Sequence, residues 1–131
     1  MWVLILYLLV PPTTGQLCTE EDPDFTEYRY EERIPYCARN VTVERKIEIC
    51  KRDGVKDRSD FTVDHIIPLS IGGSNNDENL WCQHYSLAVT DLETKAYRSM
   101  LNATQSQQDA IEMILDAKFH QIKGLTSSDK L

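Results

Sequence analysis

Hydrophobic residues are concentrated at the amino terminus, where Trp2 to Val10 form an unbroken apolar run that two prolines close. The run is too short to span a bilayer, which needs about 20 apolar residues, but it has the length of the apolar part of a secretory signal. Residues 1–15 are therefore predicted to be a signal peptide that is cut near Gln16. No Lys or Arg precedes the run, so a retained anchor or a buried strand is the alternative.

The segment from Thr19 to Pro35 is acidic and aromatic, and its apolar residues follow neither a strand period nor a helix period. It is predicted to be an extended or loop segment that lies on the core. The side chains expected to hold it there are Phe25, Tyr28 and Tyr30.

Between Val41 and Asp53 the pattern changes to that of a short amphipathic helix. Val43, Ile47 and Cys50 fall on one helical face. Gly54 then supplies a carboxyl-terminal stop.

A β-type run follows the first helix. Phe61 to Leu69 is β-branched and apolar, and it is expected to be a strand that Pro68 ends. Residues 72–77 have the composition of a turn or loop. A second short strand is expected to include Leu80 to Cys82.

The next helix is expected to begin at a capping box. Thr90 would be the N-cap residue and Glu93 would stand at the third helical position. The helix should continue through Ala96 and Met100.

A last helix is expected to begin at Ser106, with Asp109 three residues further on, and to end before Gly124. One side of it is apolar and is made of Ile111, Ile114, Leu115 and Phe119. Residues 125–131 are predicted to be a disordered tail.

Composition limits the function. A chain of 131 residues fits one domain with one modest core. The net charge of −7 argues against tight, non-specific binding of nucleic acid through bulk charge, because phosphate contacts normally come from clusters of Lys and Arg. Residues 39–58 are the exception, with seven Lys or Arg against four Asp or Glu. This stretch is either a solvated helix face or a local phosphate-facing patch.

Four cysteines follow the predicted leader: Cys18, Cys37, Cys50 and Cys82. An even number of cysteines in a small exported domain favours disulfides, and four cysteines allow three pairings. The chain has no C-x-x-C pair, so a zinc site made of all four thiolates is the weaker alternative.

The β-type run carries Asp64 and His65 in sequence. Packing alone would not place two titratable groups inside a strand. The two residues either form a hydrogen-bonded structural pair or take part in hydrolysis, where neutral imidazole accepts a proton near neutral pH. Neighbouring side chains of a strand point to opposite faces, so a shared site requires the strand to twist or bend there.

The stretch "DHIIPLSIGGSNNDENLW" resembles the core of HNH nucleases, the ββα-metal or His-Me finger family. The resemblance extends over about 40 residues, Phe61 to Met100. It implies an α+β fold with a ββα-metal core and flanking helices, built around one divalent metal ion. By the same resemblance, Asp64 binds the metal, His65 activates water, and Asn79 steadies the loop that orients this base.

The third position of the family pattern departs from this resemblance. Many HNH proteins have a His about nine residues after the Asn, and this chain has Ala88 there. His84 is the imidazole nearest to that position, so we expect His84 to be the second metal ligand, with Asp91 as the fallback. Activity depends on one of them taking this role.

The resemblance implies an exported, metal-dependent endonuclease, periplasmic or secreted, that acts on DNA, with RNA as the alternative substrate. The expected ion is Mg²⁺, with Mn²⁺, Ni²⁺ or Zn²⁺ as alternatives. Nucleic acid is expected to contact the basic residues Arg39, Arg45, Lys46, Lys51 and Arg52. We expect no stable membrane association after removal of the leader, and the sequence neither predicts nor excludes an immunity partner.

Two other classes of protein fit the same sequence. A degenerate HNH fold could act as a secreted binding module, since Ala88 replaces the usual His. A disulfide-stapled structural domain would use Asp64 and His65 only as a pair.

The expected organisation is an amino-terminal extension with a basic helix (16–60), the HNH core (61–101) and a carboxyl-terminal helix (102–124). The favoured disulfides are Cys18 with Cys37, tying the extension to the core, and Cys50 with Cys82. The resemblance supports the second pair, because proteins with this "NLW" segment often carry Pro where this chain has Cys82.

Overall fold

The structure is a computed structural model, and it describes residues 9–120. Its strands and α-helices, in chain order, are β1 (Phe25–Arg29), β2 (Ile34–Cys37), α1 (Val43–Arg52), β3 (Phe61–His65), β4 (Leu80–His84), α2 (Thr90–Leu101) and α3 (Gln107–Phe119). Short 3-10 turns at Leu69–Ile71, Asp77–Asn79 and Tyr85–Leu87 join them. The predicted α+β fold is confirmed.

The strands form two separate antiparallel pairs, β1 with β2 and β3 with β4. In the second pair His65 lies opposite Leu80, and Phe61 lies opposite His84. Helix α2 follows β4, which gives the strand, loop, strand and helix order expected for the site.

The acidic segment between Thr19 and Pro35 is more regular than expected, since it contains β1 and the start of β2. Most of β1 is exposed, so the strand has no apolar alternation that could have revealed it. Phe25 packs on a buried cluster, and the Tyr30 hydroxyl donates to the Ser70 carbonyl. Tyr28 does not anchor the segment, because its side chain is exposed.

Helix α1 begins and ends as expected but turns a different face inward. Thr42 caps it by accepting a hydrogen bond from the Arg45 N–H, and Gly54 follows its end with φ +81°. The expected apolar face is wrong in two positions, because Val43 and Ile47 are exposed while Ile49 and Cys50 are buried. The disulfide from Cys50 to β4 fixes this orientation.

Strand β3 ends at His65, earlier than Pro68, which we expected to end it. Beyond it the Ile66 N–H still bonds the Asn79 carbonyl, at 2.8 Å. The chain then turns into the 3-10 turn that starts at Leu69. The predicted second strand is confirmed and continues to His84.

The predicted capping box does not form. Helix α2 starts at Thr90 itself, its N-cap is Val89, and no side chain caps it. Glu93 approaches Lys118 instead, with its carboxylate 3.4 Å from the ammonium nitrogen. The predicted passage of this helix through the buried Ala96 and Met100 is confirmed.

Helix α3 begins as expected, with the Ser106 hydroxyl accepting from the Asp109 N–H. Its buried face is Ala110, Ile114 and Lys118, at a spacing of four residues. A lysine on this face was not expected.

The largest cluster of buried side chains lies between β2, the loop after β3, and helices α2 and α3. Its members are Ile34, Ile67, Ile71, Ala96, Met100, Ala110 and Ile114. The carboxyl-terminal helix is therefore packed into the same core as the strands.

Two disulfides join the parts of the chain: Cys18 with Cys37, and Cys50 with Cys82. These are the two favoured pairs. A zinc site of four thiolates is excluded by this pairing, since all four sulfurs are consumed.

The first eight residues of the predicted leader and the predicted tail lie outside the described residues. Within residues 9–15 of this predicted leader, the Thr13 hydroxyl donates to the Glu78 carbonyl. Within residues 9–120, no helix combines the length and the apolar character needed to cross a membrane.

Candidate active site

His65 is the last residue of β3, and its imidazole is buried, with 6% of the residue exposed. Its Nε2 lies 2.9 Å from Oδ1 of Asn75, a residue of the polar loop between β3 and β4. The position of the ring is therefore set by the strand end and by this loop together.

The Asn75 amide has a defined orientation. Its Nδ2 donates to the Ala38 carbonyl at 2.7 Å and to Asp24 Oδ2 at 3.0 Å, so its oxygen must be the atom that faces His65. That oxygen also accepts from the Asn40 N–H. The neutral His65 ring then carries its proton on Nε2 and has its lone pair on Nδ1, which is the atom that can accept a proton.

Asn79 ties the ends of the polar loop together and is fully buried. Its oxygen accepts from the Ile67 and Gln16 N–H groups, and its nitrogen donates to the Ile67 and Ser74 carbonyls. All of its polar atoms are paired with backbone, so it holds the loop and does not itself contact His65. This geometry fits the predicted role of steadying the loop, and Asn75 makes the direct contact.

Asp64 precedes His65, and one of its oxygens is held on two sides. Oδ2 accepts from the Trp81 indole N–H at 2.9 Å and from the Lys118 ammonium at 2.6 Å. Trp81 is buried as expected of a core residue, and it also fixes this carboxylate.

Asp64 and His65 border one small open cleft of about 170 Å³, together with Arg39 and Glu93. The strand ends at His65, so both neighbouring side chains reach the same cleft in spite of strand alternation. Glu93 enters from the first turn of α2. The cleft thus brings an imidazole, two carboxylates and a guanidinium together.

Burial changes the acid-base behaviour of two groups in the cleft. It lowers the pKa of His65 below its ordinary value, while the contact with Asn75 opposes the change. It raises the pKa of Glu93, against the effect of Lys118. A lowered pKa keeps the His65 ring neutral at neutral pH, which is the form that accepts a proton.

His84 lies at the other end of the hairpin from Asp64 and His65. It stands three residue pairs from Asp64, which is roughly 10 Å along a strand. Its Nδ1 contacts the Ser86 hydroxyl at 2.8 Å, and its ring meets the Phe61 ring edge-to-face and lies tilted against the Tyr85 ring. The structure does not bring His84 to the cleft, so its role as a metal ligand has no geometric support.

Ala88, which stands at the third family position, and Asp91, the fallback ligand, also lie outside the cleft. Ala88 caps the turn after β4, and Asp91 is exposed on α2. Glu93, two residues after Asp91, is the acidic side chain of that helix that lines the cleft.

The predicted basic patch separates into two groups. Arg45 and Arg52 are engaged within the fold: Arg45 pairs with Asp77 at 2.8 Å, and Arg52 donates to the Asp77 and Leu80 carbonyls. Arg39, Lys46 and Lys51 are exposed. Of these three, Arg39 borders the cleft.

Sequence reasoning missed Asn75, Glu93 and Lys118. Asn75 looked like one more turn residue, and Glu93 was assigned to a capping box. Lys118 had a usable signal, since it stands four and eight residues after Ile114 and Ala110 on the inward stripe of α3.

The donor atoms of the cleft fit a hard divalent ion. Asp64 and Glu93 offer carboxylate oxygens, the ligands that Mg²⁺ and Mn²⁺ prefer. Since Lys118 and Trp81 hold Asp64 Oδ2, the other oxygen of Asp64 is the one suited to an ion.

Elsewhere in the described residues, the possible ligand atoms of Cys18, Asp22 and Cys37 lie within 4.8 Å of one another. The two sulfurs form a disulfide and have no thiolate to offer.

Comparison with known proteins agrees with the geometry. Residues 48–84 match the family model described as HNH endonuclease. No curated protein and no solved structure gives a significant match. This match supports the predicted resemblance to HNH nucleases over that segment and favours a nuclease-type function; the matched segment includes Asp64, His65, Asn75 and Asn79 but not Glu93 or Lys118.

Proposed function

We propose that the protein is an exported, divalent-metal-dependent endonuclease that hydrolyses phosphodiester bonds of DNA, with RNA as the alternative substrate. The observation that carries this proposal is the cleft that Asp64, His65 and Glu93 line together. Its support from the family is the HNH match over residues 48–84.

His65 is the proposed general base. Its Nε2 is tied to Asn75, which leaves Nδ1 to take a proton from a water molecule as the water oxygen attacks phosphorus. The bond from phosphorus to the leaving sugar oxygen breaks, and that oxygen takes a proton from a solvent water molecule. A base whose pKa is lowered by burial is ready for this step at neutral pH.

Asp64 and Glu93 are the proposed ligands of the divalent ion, and Glu93 replaces both His84 and Asp91 in this role. Such an ion offsets charge on the phosphate and on the leaving oxygen. Mg²⁺ is the first expectation, with Mn²⁺, Ni²⁺ or Zn²⁺ as alternatives.

Arg39 is the proposed phosphate contact, because it is exposed and borders the cleft. Lys46 and Lys51 on α1 extend the positive surface, while Arg45 and Arg52 serve the fold. With a net charge of −7, binding of nucleic acid should be weak and sensitive to salt.

Export is supported by the apolar run at Trp2–Val10 and by two disulfides, which form and persist in oxidising compartments. Cleavage near Gln16 would leave the mature chain starting at a residue whose N–H bonds Asn79. A periplasmic or secreted location is therefore part of the proposal.

Nicking of supercoiled plasmid, with each divalent metal and with EDTA, tests the activity. We expect nicking with metal, none with EDTA, and restoration on adding metal back. A parallel reaction on single-stranded RNA tells the two substrates apart. Absence of cleavage of both substrates with all four metals would contradict the proposed activity and favour the degenerate binding module or the structural domain. Calorimetric metal titration then separates that module from a purely structural domain, which should bind no ion.

A further inference from the structure

Lys118 is a charged residue without exposure to solvent, since 0% of its side chain is accessible. It reaches from α3 to the end of β3. Its ammonium lies 2.6 Å from Asp64 Oδ2 and 2.9 Å from the backbone carbonyls of His65 and Ile66. Glu93 is the fourth neighbour, at 3.4 Å.

This environment saturates the ammonium group. A lysine has three N–H donors, and three oxygens lie within hydrogen-bond distance. Removing an ammonium from water is costly unless charge and hydrogen bonds compensate it. Here Asp64 and Glu93 supply negative charge, and the two carbonyls complete the shell.

The same two carboxylates are the ones proposed to bind the divalent ion. We propose that Lys118 is a positioning residue and a resident cation of this site: it holds Asp64 in place and weakens the affinity of the Asp64 and Glu93 pair for a divalent ion. This inference rests on the proposed metal site. It adds a residue from α3, beyond the segment 48–84 that matches the family.

The sign of the effect follows from charge. Two carboxylates present −2 to an ion, and Lys118 reduces this to −1. The Lys118 charge, held 2.6 Å from Asp64 Oδ2, would also repel an ion bound by Asp64, and a partly buried site screens this repulsion less than water does. The site should therefore bind its ion loosely.

A second consequence concerns folding without metal. Because Lys118 already compensates Asp64 and Glu93, the fold needs no ion to neutralise them. Removal of the lysine charge should make stability depend on metal.

A simple structural role for Lys118 predicts something else. If Lys118 only ties α3 to β3, its loss lowers stability equally with and without metal, and metal affinity stays the same or falls. The two roles are therefore distinguished by measuring affinity and stability in the same variants.

The test is a calorimetric Mn²⁺ titration of wild type, K118M, E93Q and the double variant E93Q/K118M. K118M should bind Mn²⁺ at least about tenfold more tightly than wild type. E93Q should bind more weakly than wild type, and E93Q/K118M should recover much of that loss because its net ligand charge is again −1. K95M, which removes an exposed lysine of α2, should match wild type.

Thermal unfolding provides the second readout. In EDTA, K118M should melt below wild type, and saturating Mn²⁺ should raise its melting temperature more than that of wild type. Should K118M not fold in EDTA, the comparison of E93Q with E93Q/K118M tests the same charge effect.

The outcomes separate the two proposals. Binding in wild type with equal or weaker binding in K118M overturns the role of Lys118 and leaves the metal site standing. Binding in K118M alone supports Lys118 as the resident cation and contradicts metal dependence of the wild type. No binding in any variant overturns both.

Discussion

The two ends of the β3–β4 hairpin each carry a histidine, and the two differ in almost every physical respect. His65 is buried, is fixed by Asn75 and borders a cleft with Asp64 and Glu93. His84 is half-buried and contacts Ser86 and the rings of Phe61 and Tyr85. Proximity in sequence made both look like parts of one site, but the antiparallel register puts them at opposite ends.

The difference shows what a candidate catalytic residue needs beyond its residue type. Asn75 fixes the tautomer of His65, and the carboxylate of Asp64 lies in the same cleft. His84 contacts Ser86 and Tyr85 in the turn that follows it and the Phe61 ring on β3. Matched substitutions of His65 and His84 therefore test this difference first, with activity as the readout.

Replacing the two histidines should give the largest contrast. His65→Ala should lower plasmid nicking by about 10²- to 10⁴-fold, the usual loss for a general base. His84→Ala should stay close to wild type. Metal affinity in His65→Ala should be nearly unchanged, because the base contacts water and not the ion. If His84→Ala lost activity while His65→Ala kept it, the general base would have to be assigned to His84 and not to His65.

Replacing acidic residues of α2 should give the next effect. Glu93→Ala should lower nicking at limiting metal by at least about tenfold, and a raised metal concentration should partly restore it, since mass action refills a weakened site. Asp91→Ala is the matched control on the same helix and should behave like wild type. An equal response of the two variants would remove Glu93 from the ligand set.

Removal of the Asn75 side chain should affect both stability and rate. Asn75→Ala removes the hydrogen bonds to His65, to Asp24 Oδ2 and to the Ala38 carbonyl, which should cost about 1–3 kcal/mol of unfolding free energy. Urea unfolding measures this cost, and nicking under conditions where the variant is folded measures the loss of base orientation. Asn76→Ala, in the same loop, is the control. Unchanged nicking in folded Asn75→Ala would contradict the positioning role.

The pH profile should show the smallest effect. Burial lowers the pKa of His65, so the neutral, active form persists below the ordinary histidine range. Nicking should fall as pH drops through this lowered pKa, with a midpoint below about 6.5. Stability has the same sign: between the lowered pKa and the unfolded value the unfolded chain binds more protons, so stability rises with pH there. A midpoint above about 6.5 would argue against a buried base.

Much of this fold could be predicted from the sequence, and the misses have physical causes. The stop after α1 at Gly54 and the start of α3 at Ser106 are local signals and were predicted. Strand β1 was not predicted, because no alternation of apolar and polar residues marks it. The face of α1 was set by the Cys50 disulfide, which is a tertiary constraint.

The site divides in the same way. Asp64, His65 and Asn79 lie in one short motif, so the sequence alone could predict that they belong to one site. Glu93 and Lys118 reach the cleft only through the packing of α2 and α3, which sequence spacing does not report. A capping pattern at Thr90 also gave Glu93 a local explanation that the fold does not use.

The central claim is that the divalent ion binds at the Asp64 end of the β3–β4 hairpin. Locating the bound ion tests this claim most directly. Substoichiometric Mn²⁺ added to isotope-labelled protein broadens the NMR signals of nuclei close to the bound ion. We predict that the signals of Asp64, His65 and Glu93 broaden first, while those of His84 and Tyr85 persist. Broadening centred on His84, with the signals of the cleft unaffected, would contradict the account.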